Sequence, residues 1–184
     1  MSQPTDGVCW MVSAQMVYKW SKATGSGSMI DPMSDPGSKS RYERNGDWWS
    51  GQNGLLAGYF KMKTHSSVPM DYAGLSAFMA KHGPVWTGLK KNWGGHSHGH
   101  VVVICGAADT GVFIHDPEPM HYGTAMWLTW AQINKAISAI TDADYQFSDG
   151  CLRPSVVGCT PRERANARLS LRVRAVVNLE HLFH

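Results

Sequence analysis

No run of about 18 apolar residues occurs in this 184-residue chain, so none of it reads as a membrane-spanning helix. The first residues lack the basic, then apolar, then small-residue order of a secretory signal, so any export is expected to use another route. Cysteine is sparse. Cys9, Cys105, Cys151 and Cys159 are too scattered for a compact disulfide framework, and no Cys-x-x-Cys pair offers a zinc ribbon. Cys151 and Cys159 are close enough in sequence to pair in an oxidising compartment, but the chemistry argued below needs Cys9 reduced. No internal repeat is visible, and lysine is missing altogether from residues 151–184.

That last gap marks a change of composition near Gly150. Residues 1–150 hold nine Lys and two Arg against twelve acidic residues, a net of −1. Residues 151–184 hold six Arg against two Glu, a net of +4, so the overall +3 hides two different segments. One domain is accordingly expected over 1–150, with a basic C-terminal tail over 151–184. A basic segment points to nucleic acid only when aromatics or a motif accompany it. The tail has one aromatic residue, Phe183, and no motif, so no nucleic-acid partner is expected. Eight Trp and ten Met, by contrast, are enough to fill large and irregular apolar surfaces.

The pattern predicts helices first and strands later, an α+β layout. A helix is expected over about Cys9 to Ala23, with Gly25 as its stop. Residues 24–54 are rich in Gly, Ser, Pro and Asp and read as an irregular excursion, with a short helix around Asn53 to Phe60. Trp48 and Trp49 within it serve either packing or a cleft, with packing preferred. Asp71 caps a second helix that turns Leu75, Phe78 and Met79 inward and ends at Gly83-Pro84. The period then changes. Val85 to Leu89, His100 to Cys105 and Val112 to Asp116 read as strands, the last two joined by a turn at 106–111. Thr129-Trp130-Ala131-Gln132 is a capping box that opens a final helix, with Trp130, Ile133, Ile137 and Ile140 on one face.

Three positions in this layout carry chemistry. Cys9 follows a turn-forming Asp6-Gly7 and stands at a helix start, where about half a unit of positive charge favours thiolate over thiol. Gln3, six residues earlier, offers an amide donor that, with backbone N–H groups at the helix start, can hold an oxyanion. His100 opens the central strand and Asp116 closes its partner. With a 106–111 turn, His100 falls opposite Pro117, beside Asp116, whose carboxylate can accept the Nδ1–H and fix the tautomer facing the thiol. Cys9, His100 and Asp116 thus form a candidate triad. A buried structural cysteine is the bland reading of Cys9 alone.

The segment Gln3 to Trp10 resembles the active-site segment of papain-like cysteine proteases, in which a Gln precedes the catalytic Cys by this spacing and an aromatic residue follows it. The Gly-[Ser/Ala]-Cys form is replaced here by Gly7-Val8-Cys9, which points to bacterial members. Gly99 to Ile104, followed by Val112 to Pro119, is similar to the second half of a bacterial papain-like family. That family includes avirulence-protein effectors and the related double-glycine peptidases. In it a Asp-Pro-x-Pro element supplies Asp where papain uses Asn, a role that falls on Asp116. The likeness covers about residues 3–140, without the excursion or the tail. It implies a papain-like fold and a cysteine peptidase acting on a protein or peptide through Cys9, His100, Asp116 and Gln3. It also implies a secreted bacterial effector or toxin delivered into another cell, with an immunity or inhibitor protein as a possible partner.

Rival readings share the residues. The same triad serves an amidase, a deamidase or a peptidoglycan hydrolase, and a papain-like fold with an idle site serves as a binding domain. His96, His98 and His100 alternate and, with His115, Cys105 and Asp116, suggest a metal centre. Gly94, Gly95 and Gly99 argue instead for a loop, with His96 and His98 solvated. No metal or other cofactor is therefore expected. His65, His82, His121, His181 and His184 read as surface residues.

Overall fold

A computed structural model describes residues 1–25, 27–48, 53–95, 97–140 and 145–147. The basic tail, the Cys151–Cys159 pairing, Trp49, His96, His181 and His184 lie outside the described residues. The architecture is α+β, built on one antiparallel sheet in the order β1-β6-β2-β3-β4-β5. Among the described residues no helix is long and apolar enough to cross a membrane.

Helix α1 (Cys9–Thr24) opens the fold and ends on Gly25, whose φ of 64° supplies the left-handed turn that a side chain would oppose. The polar excursion is less irregular than its composition implies. Asp31 caps a 3₁₀ turn at Pro32–Ser34, and Asp35 caps α2 (Pro36–Glu43) by accepting the Ser38 N–H. Each cap is followed by a proline at the first helical position, where a missing N–H costs nothing. The short helix α3 (Asn53–Phe60) follows as anticipated.

Strand β1 (Lys63–His65) leads to α4 (Tyr72–His82), capped by Asp71. Next come β2 (Val85–Lys91), β3 (His98–Ala108), β4 (Gly111–Asp116) and β5 (Thr124–Thr129). The capping box at Thr129 and Gln132 forms as read and starts α5 (Trp130–Ser138), after which β6 (Tyr145–Phe147) pairs between β1 and β2.

The sheet is covered on both faces, which explains the continuous apolar run in β3 and β4. Trp86, Val103, Cys105 and Phe113 pack with α1 and α3 on one side. Val85, Leu89, Val102, Ile104, Val112 and Ile114 pack with Leu75 of α4 and Ile133 and Ile137 of α5 on the other.

Two expectations about the hairpin need correction. The turn is two residues, Asp109-Thr110, because Ala107 and Ala108 continue the ladder against Val112 and Gly111. A bulge between Ile104 and Gly106 then shifts the register by one, pairing Val103 with His115. Carried onward, that register sets His100 opposite Glu118 rather than Pro117. A further correction concerns the glycine-rich approach to His100. It enters the sheet two residues earlier than read, at His98, which pairs with Lys91.

Candidate active site

Alternation along β2, β3 and β4 places Lys91, His98, His100 and Asp116 on one face, at one end of the sheet. Their side chains form one polar cluster. His100 Nε2 lies 2.6 Å from Asp116 Oδ1, with both side chains almost wholly buried. Asp116 Oδ1 also accepts the Glu118 N–H at 2.9 Å. Its Oδ2 accepts Lys91 Nζ at 2.8 Å and the Trp93 indole N–H at 2.9 Å. Four donors saturate a carboxylate that can only accept when ionised.

Burial works against the charge on Asp116. His100, by hydrogen bond and charge, and Lys91 nonetheless hold its carboxyl well below the usual carboxylate range. An ionised Asp116 in turn assigns a proton to His100 Nε2, so that Nδ1 is the lone-pair nitrogen whenever the ring carries a single proton. The nitrogen that meets Asp116 is therefore Nε2, not the Nδ1 anticipated from the hairpin.

Glu118 is the second carboxylate of the cluster. Its Oε2 accepts Lys91 Nζ at 2.7 Å, and its Oε1 lies 3.1 Å from His98 Nε2 and 3.7 Å from His100 Nδ1. Burial opposes its charge as well, but the Lys91 hydrogen bond and the charges of His100, Lys91 and His98 lower its pKa. Lys91 thus sits buried between two carboxylates, the pairing that makes a buried ammonium tolerable.

Gln3 is drawn into the same cluster. Its N–H donates to Pro117 O, its carbonyl accepts from the His121 N–H, and its buried side chain donates from Nε2 to Glu118 Oε1 at 3.3 Å. The reversed amide would set its oxygen against a carboxylate. The Gln3 Oε1 is buried without a hydrogen-bond partner among the described residues.

Cys9 reaches the site from the start of α1. The turn before it uses Gly7 at φ 80°, where an added Cβ would meet Asp47 Oδ1 at 2.3 Å. The N-cap, Val8, has no side-chain oxygen, so the first-turn N–H groups are left without a side-chain cap. Trp86 donates its indole N–H to Trp10 O at 3.0 Å, and Trp10 donates to Gly46 O and packs against Trp48 with ring centroids 5.1 Å apart and planes tilted by 36°. Trp48 therefore serves both packing and the cavity wall.

Gln3, Cys9, His100 and Asp116 all line one cavity of about 1210 Å³, together with Lys91, Trp93, His98 and Glu118. Among the described residues no hydrogen bond joins the Cys9 thiol to the His100 ring. Burial pushes that thiol up to about 12, the opposite of what the helix start alone predicts. Backbone hydrogen bonds from Val101 and Trp10 pull the other way without prevailing. Desolvation at the start of α1 thus favours the thiol over the thiolate.

Lys91, Trp93 and Glu118 were not singled out from the sequence, and His98, read there as solvated, is instead partly buried and 3.1 Å from Glu118 Oε1. Glu118 had a signal, since it lies inside the Asp116-Pro117-Glu118-Pro119 element. Lys91 had a weaker one, two residues after Leu89 on the same strand face. No family model matches the chain, and no curated protein matches it.

Proposed function

We propose that this chain is a papain-like cysteine hydrolase that cleaves peptide bonds in a protein or peptide substrate. The observation that carries the reading is the buried 2.6 Å His100–Asp116 pair, which opens on the cavity that Cys9 lines at a helix start. Asp116 bonds the His100 ring at Nε2, which leaves Nδ1 as the nitrogen available to act as general base.

In this mechanism the thiol gives its proton to His100 Nδ1 as Sγ bonds to the substrate carbonyl carbon. The electron pair of the C=O moves to oxygen. The Gln3 amide and the Cys9 N–H stabilise that oxyanion, while Lys91 neutralises the nearby Glu118. Collapse breaks the C–N bond, and His100 returns the proton to the leaving amine. Water, deprotonated by His100, then hydrolyses the thioester to a carboxylic acid and restores the thiol. Because desolvation favours the thiol, proton transfer accompanies attack instead of preceding it. The resemblance further implies export by a non-classical route into a target cell, with an immunity or inhibitor protein in the producing cell as the candidate partner.

The test is alkylation by iodoacetamide at neutral pH, with the modified cysteine read by peptide mass. Cys9 in the wild type is expected to label at least 100-fold faster than in His100→Ala, the lower range for general-base assistance. Buried Cys105 is the internal control. Equal rates in the two proteins would overturn the mechanism and favour an idle-site binding domain. If labelling is His100-dependent, cell-wall fragments offered beside a protein substrate separate a peptidoglycan amidase from a peptidase.

A further inference from the structure

The tautomer that suits a thiol also suits a metal ion. His100 presents the Nδ1 lone pair while Asp116 holds the Nε2 proton, the carboxylate–histidine arrangement that orients an imidazole toward zinc. His98 and Glu118 stand beside that lone pair. One ligand atom each from His98, His100 and Glu118 lie within 4.8 Å of one another. Glu118 Oε1 is 3.1 Å from His98 Nε2 and 3.7 Å from His100 Nδ1. Ligand atoms of a tetrahedral zinc sit roughly 3.4 Å apart, so small rotations of these side chains suffice.

The charge balance also fits. Lys91 lies against Asp116 and Glu118, one cation to two carboxylates, and it occupies Glu118 Oε2. The remaining oxygen, Oε1, faces the two imidazoles and accepts the Gln3 amide. Two imidazoles and one carboxylate form a recognised zinc ligand set with a fourth position open.

We propose that His98, His100 and Glu118 form a site for a zinc-class divalent ion, and that this ion and the Cys9 thiol compete for the His100 Nδ1 lone pair. Binding moves the Nε2 proton of His98 to its Nδ1 or to solvent, and the ion takes the place of the His98–Glu118 hydrogen bond. The thiol then has no base. The competition rests on the hydrolase reading, but binding of the ion does not.

The experiment titrates the full chain with Zn²⁺ against a chromophoric chelator, in wild type, His98→Ala, Glu118→Gln and Cys9→Ala. The wild type is expected to bind at least one equivalent that His98→Ala and Glu118→Gln hold tenfold or more weakly. Cys9→Ala is expected to keep it. The His98 side chain is 40% exposed, so its removal leaves the core intact. Zinc is further expected to slow alkylation of Cys9 at least tenfold in the wild type and to leave the rate unchanged in His98→Ala. Equal zinc affinity in all four proteins would overturn the site. Tight binding without any effect on Cys9 labelling would overturn the competition. Binding lost in His98→Ala, in a chain whose labelling ignores His100, would keep the metal site and reject the hydrolase.

Discussion

Lys91 is the residue on which the polar cluster depends. It neutralises Asp116 and Glu118 from a side chain that is 5% exposed, so its removal strands two charges in a low dielectric. Lys91→Met keeps the stem and deletes the charge. The variant is expected to lose about 3–5 kcal/mol of stability, read by urea denaturation at pH 7, with part recovered as pH falls and the carboxylates protonate. A loss under about 1 kcal/mol would mean that water already serves these carboxylates. His100 and Asp116 were legible in the sequence because each lies near a strand end beside turn signals. Lys91 was not, since a lysine closing a strand is ordinarily solvated. Its partners lie 25 and 27 residues away and are revealed only by the ladder. The choice of His100 nitrogen was equally hidden, because it follows from how the ring is turned and not from which residues are adjacent.

Elements with local punctuation were the readable ones. Helix α1 announced its end with Gly25, α4 its start with Asp71, and α5 its start with a capping box. Strand β5 was missed, since it lies at the edge of the sheet with three of its six residues exposed and has no buried run to mark it. The bulge in β3 left no sequence signal either, and it moved the partner of His100 by one position. Gly83 shows how one element locks another. At φ 83° it closes α4 against α1, where an added Cβ would meet the Trp20 ring at 2.2 Å. Gly83→Ala combines an unfavourable backbone region with overpacking and is expected to destabilise the fold by about 2 kcal/mol or more. A shift in urea midpoint at constant m-value would show it, and an unchanged midpoint would mean that α4 moves freely away from α1.

Across the whole molecule, the sheet divides the labour. One end of β2, β3 and β4 carries the polar cluster, while the rest of those strands fills two apolar layers. The two described cysteines are consequently favoured as thiols. Burial raises Cys9 to about 12 and raises Cys105 as well, whereas thiols in the unfolded chain ionise near roughly 8.5. Above that pH the native state binds more protons than the unfolded state, so stability is expected to fall as pH rises toward the native values. Denaturant midpoints between pH 7 and 10 should decline, less so in Cys105→Ala, and a flat profile would contradict the raised pKa of both thiols. The cavity has its own consequence for solvent. Its volume of about 1210 Å³ holds far more water than one small solute would displace. A small metabolite would leave most of that water beside the thiol. An extended length of polypeptide lying along the partly exposed Trp48 and Trp93 would expel it together, so that drying the chamber and strengthening every charge interaction within it become one event.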